Sequence, residues 1–315
     1  MVTAVRIASL LPSATEIVAA LGLGERLVGR THECDFPPEV AGVPALTRSA
    51  LECDPLDSAA IDAAVSGAVA GDGVYRLDEA ALAAARPDLV ITQDLCEVCA
   101  VDTPSVARAL GRMPGAPRLI TLEPETLADV LASIVAVGRA AGVEERAREV
   151  VAGLELRLER VRAAVAGLER PRVVAMEWLD PPWAAGHWVP DQVAAAGGRE
   201  MVGEAGARSA RTSPAAIRDA EPDWLLLIPC GWNADQAVAA LDRERFAAEY
   251  GETPAARSGR VVALDGSAYF SRPGPRLVDG VEILASLLHP EAGLAASPPG
   301  AVRHVALPAV HGSRG

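Results

Sequence analysis

The sequence predicts an α/β fold: two Rossmann-like lobes with mostly parallel sheets, joined by one long rigid helix. Three observations predict it. Short apolar runs alternate with helical stretches, two parts of the chain read as copies of one another, and a long amphipathic helical region lies between the copies. Apolar runs of about four to six residues between helices mark buried parallel strands and βαβ units.

The first copy opens with a strand over Val5–Leu11, a helix over Thr15–Leu21 and a second strand at Arg26–Gly29. The second opens with Pro171–Trp178, a helix near Pro190–Ala196 and Glu200–Gly203. Each is followed by a Pro-Asp pair and an apolar run, at Pro87-Asp88 and Pro222-Asp223. Between the copies, Leu127, Val130, Leu131, Ile134 and Val137 recur at helical spacing, ending near Gly142. A longer helix over Glu144–Leu168 follows, with Val150, Val151, Leu154, Leu158, Val161 and Val165 as its apolar stripe and a solvated charged face. A helix of about 24 residues spans roughly 36 Å, enough to bridge two lobes. The expected division is residues 1–125 for the first lobe, 126–168 for the helical bridge, 169–290 for the second lobe and 291–315 for a mobile tail rich in Pro, Gly, Ala and Ser. His304 and His311 fall in that tail.

At 315 residues the chain can bury a large core in two lobes. Its net charge of −13 excludes a nucleic-acid binder, which needs a basic patch, and all 29 basic side chains are arginine. No run of roughly 18 apolar residues suggests membrane insertion. The first residues read as a strand rather than a signal peptide, and no lipoprotein-type cysteine stands near them, so a cytoplasmic protein with reduced thiols is expected.

Four of the five cysteines follow strands. Cys96 and Cys99 form a C-x-x-C after Leu89–Ile91, Cys230 follows Trp224–Ile228, and Cys34 sits in Thr31-His-Glu-Cys-Asp35. Ligands of open α/β sheets bind at the carboxyl ends of strands, so these thiols mark a cleft. Cys34, Cys96, Cys99 and Cys230 either hold a metal, as a zinc ion or a [4Fe–4S] cluster, or pack as small apolar side chains. Cys53 lies in a loop and is incidental. His32 stands beside Glu33, Cys34 and Asp35, of which at most two can aim at one centre. Trp183 to Trp188 encloses His187 after the first strand of the second copy, either as a ligand contact or as a hydrophobic lid. Trp178 and Trp232 extend that wall. After the strand Val261–Leu264, a loop collects Tyr269, Phe270, Arg272 and Arg276; its arginines either grip carboxylate or phosphate or pair with Asp265 and Asp279. The chain has no G-x-G-x-x-G, Walker A, nucleophile elbow or Asp-x-His-x-x-Gly motif.

Ser9–Glu16, Leu27–Pro38, Arg86–Ile91 and the long central helix resemble the cobalamin and iron-siderophore substrate-binding proteins of ABC importers, over roughly residues 5–290. The resemblance implies a ligand held between the lobes by loops at Pro12–Thr15, His32–Phe36, Gln93–Cys99, Trp178–Trp188, Cys230–Trp232 and Tyr269–Arg272. On that mapping Ser13, His32, Asp35, Gln93, Trp178, Trp183, His187, Trp188, Trp232, Tyr269, Phe270 and Arg272 bind the ligand. The expectation is a non-enzymatic binding protein, with no catalytic residues, for cobalamin, another corrinoid or a related metal complex. Its partner would be an ABC transporter or a corrinoid-pathway protein. The alternative is a cysteine-ligated metal or Fe–S protein with redox or enzymatic work in the same cleft.

Overall fold

A computed structural model describes residues 5–50, 57–69, 74–93 and 103–308. The chain divides into two compact units. Met1–Asp54, Ala60–Pro124 and Ala128–Leu154 make the first; Pro55–Ala59, Glu125–Leu127 and Glu155–Gly315 make the second. In chain order the first half carries β1 (Ile7–Ser9), α1 (Pro12–Ala20), β2 (Leu27–Gly29), β3 (Thr47–Ser49), α2 (Ser58–Val69), β4 (Tyr75–Leu77), α3 (Glu79–Ala85), β5 (Leu89–Gln93), α4 (Thr103–Leu110), β6 (Arg118–Leu122), α5 (Leu127–Ala140) and α6 (Glu144–Ala164). The second carries β7 (Arg172–Trp178), β8 (Trp183–Ala184), α7 (Val189–Ala195), β9 (Arg199–Glu200), β10 (Ala210–Arg211), α8 (Pro214–Asp219) and β11 (Trp224–Leu227). It continues with α9 (Ala234–Ala240), α10 (Arg243–Tyr250), α11 (Pro254–Arg257), β12 (Val261–Leu264), α12 (Gly266–Tyr269), α13 (Leu277–Leu288) and β13 (Val302–His304).

The two sheets share one plan. In the first unit the order is β2-β1-β5-β6, all parallel. In the second, β9, β7, β11 and β12 repeat that order with parallel pairing. Antiparallel β8 and β13 are added to β7 and β12, and β10 to β8. The central strands are buried on both faces, which is why they read as unbroken apolar runs.

The Pro-Asp pairs explain why the copies fold alike. Arg86 and Glu221, just before the prolines, take left-handed φ values of 42° and 44° and turn the chain out of the preceding helix. The aspartate carboxylate then accepts the backbone N–H of the residue entering the first strand, Arg6 or Arg172, at 2.8 Å in each. Its own N–H donates back to that residue's carbonyl at 2.8 Å in both. Each clamp sets the register of the first strand on the middle one, Ile7↔Leu89 and Val173↔Trp224. The helices after the first strands also end alike: Gly22 and Gly197 are left-handed, at φ 70° and 84°, and the next N–H closes a wide turn onto Val18 and Val193.

All five apolar positions expected in α5 are buried, as are Leu154, Leu158 and Val161 of the next helix and Val165 just past its end, whereas Val150 and Val151 of the expected stripe are only half-buried. That helix, α6, has 21 residues and stops at Ala164, short of Leu168, where Gly167 turns left-handed at φ 79°. Its charged face is not wholly solvated. Arg157 pairs with Asp279 and Glu282 of α13, and hydrogen bonding to Glu282 outweighs burial to hold its guanidinium above the ordinary range.

The expected mobile tail gives way over residues 290–308. Val302–His304 pairs antiparallel with β12, and Ala301 and Val305 are buried on either side. Three residues suffice to extend a sheet edge, a signal too short to stand out in a Pro- and Gly-rich stretch. His304 lies in this strand; His311 lies outside the described residues.

Candidate functional site

In both sheets the chain runs from the first strand to a neighbour on one side and then crosses to the other side. That reversal opens a crevice at the carboxyl ends, between β1 and β5 in one unit and between β7 and β11 in the other. The candidate residues read from the sequence lie near these strand ends.

In the second unit the strand ends are aromatic. Six of the chain's eleven Phe, Trp and Tyr residues lie here: Trp178, Trp183, Trp188, Trp232, Tyr269 and Phe270. They divide into two sets. Trp188, Trp232 and Phe270 are buried and act as packing, so they do not offer the stacking faces expected of them. Trp188 donates from Nε1 to the Phe270 carbonyl at 2.6 Å, and the Trp232 ring lies 4.9 Å from that of Trp178. Trp178, Trp183 and Tyr269 are half-buried. Trp178 donates to the Ser58 carbonyl within the same unit, Arg211 covers Trp183 at 5.6 Å, and Arg276 covers Tyr269 at 5.9 Å. Arg272 is half-buried in the loop after α12. Cys230 is partly buried, its N–H donating to the Glu177 carbonyl.

His187 stands apart within this set. It is a non-glycine residue at φ 51°, pinned by its N–H to the Ala207 carbonyl at 2.6 Å and by its carbonyl to the Gly206 N–H at 3.0 Å. The ring stacks on Trp188, 5.5 Å between centroids and 29° between planes. Burial, then the charge of Arg208, push its pKa below the ordinary imidazole value against the opposing pull of Glu125. The ring is therefore neutral at neutral pH.

The segment behind it is packed backbone to backbone. A Cβ on Gly186 would stand 2.4 Å from the Ala207 oxygen, and one on Gly203 would stand 2.0 Å from the Ala185 oxygen. The Glu200 carboxylate anchors this segment, accepting the N–H groups of Ala175, Val202 and Gly203, each at 3.1 Å. Part of the residue reaches the surface but its carboxylate is enclosed, and burial raises its pKa to about 7 despite those donors. Arg208 and Arg211, on this segment, were not singled out from the sequence. Their only signal was charge within a run of Gly, Ala and Ser.

In the first unit the described groups at the strand end are mostly polar. Ser9 donates to the Leu11 carbonyl at 2.9 Å, Thr15 donates to Ser9 Oγ at 2.9 Å, and Cys34 Sγ lies 3.1 Å from Thr15 Oγ1. With the Thr15 proton committed to Ser9, the Cys34 thiol is the donor to Thr15. It is a buried thiol within hydrogen-bond reach of Thr15. His32 bonds Thr47 Oγ1 through Nδ1 at 2.8 Å, faces Glu33 at 3.2 Å, and packs on Tyr75 at 5.2 Å. Ser13 and Gln93 are buried, and Ser13 Oγ has no hydrogen-bond partner among the described residues. Asp35 is exposed. Cys53, Cys96 and Cys99 lie outside the described residues. Cys34 and Cys230 belong to different units, and among the described residues no three His, Cys, Asp or Glu side chains gather to hold a metal ion.

The model of the periplasmic binding protein family matches residues 7–268. The chain belongs to the periplasmic binding protein family. A relative from Bacillus subtilis (strain 168), an uncharacterized ABC transporter substrate-binding lipoprotein, YvrC, is 24% identical over 91% of this chain and 80% of its own length. Among solved structures, a periplasmic heme-binding protein from Pseudomonas aeruginosa shares 22% identity at a TM-score of 0.72, over 96% of this chain and 99% of that one. The periplasmic vitamin B12-binding protein BtuF of Vibrio cholerae shares 20% identity at a TM-score of 0.66, over 91% and 97%. The last two establish the fold. A lipoprotein relative and periplasmic neighbours overturn the expected cytoplasmic placement and point to an extracytoplasmic one. No described helix is long and apolar enough to cross a membrane.

Proposed function

We propose that this chain is the extracytoplasmic substrate-binding component of an ABC importer and that its cargo is a flat tetrapyrrole metal complex, a metalloporphyrin or a corrinoid. One observation carries this reading. In a chain with only 3% aromatic residues, three half-buried ones, Trp178, Trp183 and Tyr269, gather near the carboxyl ends of one sheet, with arginines over two of them. Extended π-surface suits a flat macrocycle, and guanidinium groups suit carboxylate or carboxamide groups at its rim. The P. aeruginosa heme binder and the B12 binder of V. cholerae, which share the fold, support a cargo of this class. Delivery to a membrane transporter follows from the family and from the substrate-binding lipoprotein relative.

Titration calorimetry with hemin, cyanocobalamin and cobinamide tests this. At least one should bind saturably with a Kd on the order of micromolar or tighter, and Trp178→Ala should weaken it by about tenfold. If none of the three binds, the proposal fails.

A further inference from the structure

We infer that Gln192 is a positioning residue for the cargo: without meeting the cargo itself, it holds the loop that carries Tyr269, Arg272 and Arg276 in its binding shape. This rests on the reading above and adds to it a residue that acts through that loop.

The loop joins α12 to α13, and it is gripped from α7 of the same unit. Gln192 on α7 is fully buried, and its Nε2 donates to the Tyr269 carbonyl at 3.0 Å and to the Leu277 carbonyl at 2.8 Å. One amide therefore ties both ends of the loop together. Trp188, one turn earlier and on the same face, donates to the Phe270 carbonyl at 2.6 Å. Helix α13 leaves room for the grip: a Cβ on Gly280 would stand 2.7 Å from Gln192 Nε2 and 2.5 Å from the Tyr269 oxygen.

Packing alone does not call for a glutamine at this position. Its Oε1 is buried with no hydrogen-bond partner among the described residues, a cost that an apolar side chain would avoid. Its helix neighbours Val189, Val193 and Ala195 are buried and apolar. Turning the amide over would set Oε1 against two carbonyl oxygens, so the loop fixes its orientation. What glutamine supplies and an apolar residue cannot is the pair of donors. Both go to the segment that bears the half-buried Tyr269, Arg272 and Arg276. A loop held in this way meets its ligand without first having to be ordered, and ordering costs affinity.

The test compares the wild type with Gln192→Met, which keeps the volume and removes both donors, in binding hemin and, in parallel, cobinamide. The loss of two hydrogen bonds and the removal of the unpaired Oε1 offset one another, so the Tm should stay within a few degrees. In the free variant, amide hydrogen exchange over residues 271–276 should rise by about tenfold or more while β7 and β11 keep their protection. Whichever molecule the wild type binds should bind the variant about tenfold more weakly. Gly280→Ala leaves Gln192 in place but wedges it away from the Tyr269 carbonyl. It should give the same two changes, and it carries the test if Gln192→Met does not fold. Unchanged exchange over the loop overturns the inference, and so does faster loop exchange with wild-type affinity. A fall in Tm with exchange rising throughout the unit in both variants assigns Gln192 to stability alone and overturns it too. If the wild type binds neither molecule, the cargo class itself is wrong and the positioning role falls with it.

Discussion

The two units use the same strand order and the same Pro-Asp clamp, yet their strand ends differ. In the first, polar groups consume one another: Cys34 donates to Thr15, Thr15 to Ser9, and Ser9 to a backbone carbonyl. In the second, Trp178, Trp183 and Tyr269 are half-buried, and His187 sits at φ 51° with its Nδ1 buried and without a hydrogen-bond partner among the described residues. Topology repeats, while the side chains at the described strand ends do not: those of the first unit bond to one another and those of the second are largely aromatic.

The largest expected effect comes from Glu200, which anchors the His187 segment and for which β2 of the first unit has no carboxylate counterpart. Its pKa rises from 4.5 to about 7 on folding. The folded state therefore binds the proton more tightly, so stability is fullest below about 4.5 and falls as the pH rises towards 7, by roughly 3 kcal/mol. All five tryptophans lie in the second unit, so urea unfolding followed by tryptophan fluorescence reports that unit. Glu200→Gln should abolish the slope between pH 4.5 and 7. It should also cost about 1–3 kcal/mol throughout, because the Ala175 N–H would face an amide nitrogen. An unchanged slope in the variant would assign the pH dependence to other groups.

How far such contrasts are legible in the sequence depends on the length of the signal. The repeat could be read because each Pro-Asp pair precedes a four- or five-residue apolar strand, and α5 because its stripe repeats over several turns. β8, β9 and β10 have two residues each and β13 has three, too few for periodicity to show. The aromatic set was legible as a group, but Trp188, Trp232 and Phe270 pack inward and Trp178, Trp183 and Tyr269 do not. That split goes with contacts from Phe270, Ser58 and Arg211, distant in sequence from the rings they meet. The thiols of Cys34 and Cys230 looked alike as strand-end cysteines. Only the hydrogen-bond chain through Thr15 distinguishes Cys34.

The clamps offer a second comparison. Asp223 accepts the backbone N–H of Arg172 and also its guanidinium, at 3.2 and 3.1 Å. Asp88 accepts only the Arg6 N–H, because the Arg6 guanidinium goes to the Ala85 and Arg86 carbonyls. Burial would raise the Asp223 pKa, but hydrogen bonds from Arg172 and the charges of Arg172 and Arg260 outweigh it and hold the carboxyl below its usual range. Its contribution is therefore present above the ordinary aspartate range and lost as the pH falls below it. Asp223→Ala should cost about 2 kcal/mol and Asp88→Ala about 1 kcal/mol, both partly screened by solvent. Amide exchange at Trp224–Leu227 and at Leu89–Gln93 reads the two separately. Equal losses would show that the guanidinium adds nothing to the clamp.

The smallest effect is expected at Cys34. Replacing it with alanine removes one weak S–H donor from Thr15 but leaves the Thr15–Ser9 and Ser9–Leu11 bonds intact, so the cost should be about 1 kcal/mol or less. Thr15→Val is harsher, at about 1–3 kcal/mol, because it strands both the thiol and the Ser9 oxygen in a buried site. If the first unit's strand end serves stability alone, Cys34→Ala should bind hemin and cobinamide with wild-type affinity and an unchanged absorption spectrum. A Cys34→Ala protein that keeps its Tm but loses the metal complex would show that this thiol gives up its proton to a metal, and the contrast between the two units would fail at the residue on which it most depends.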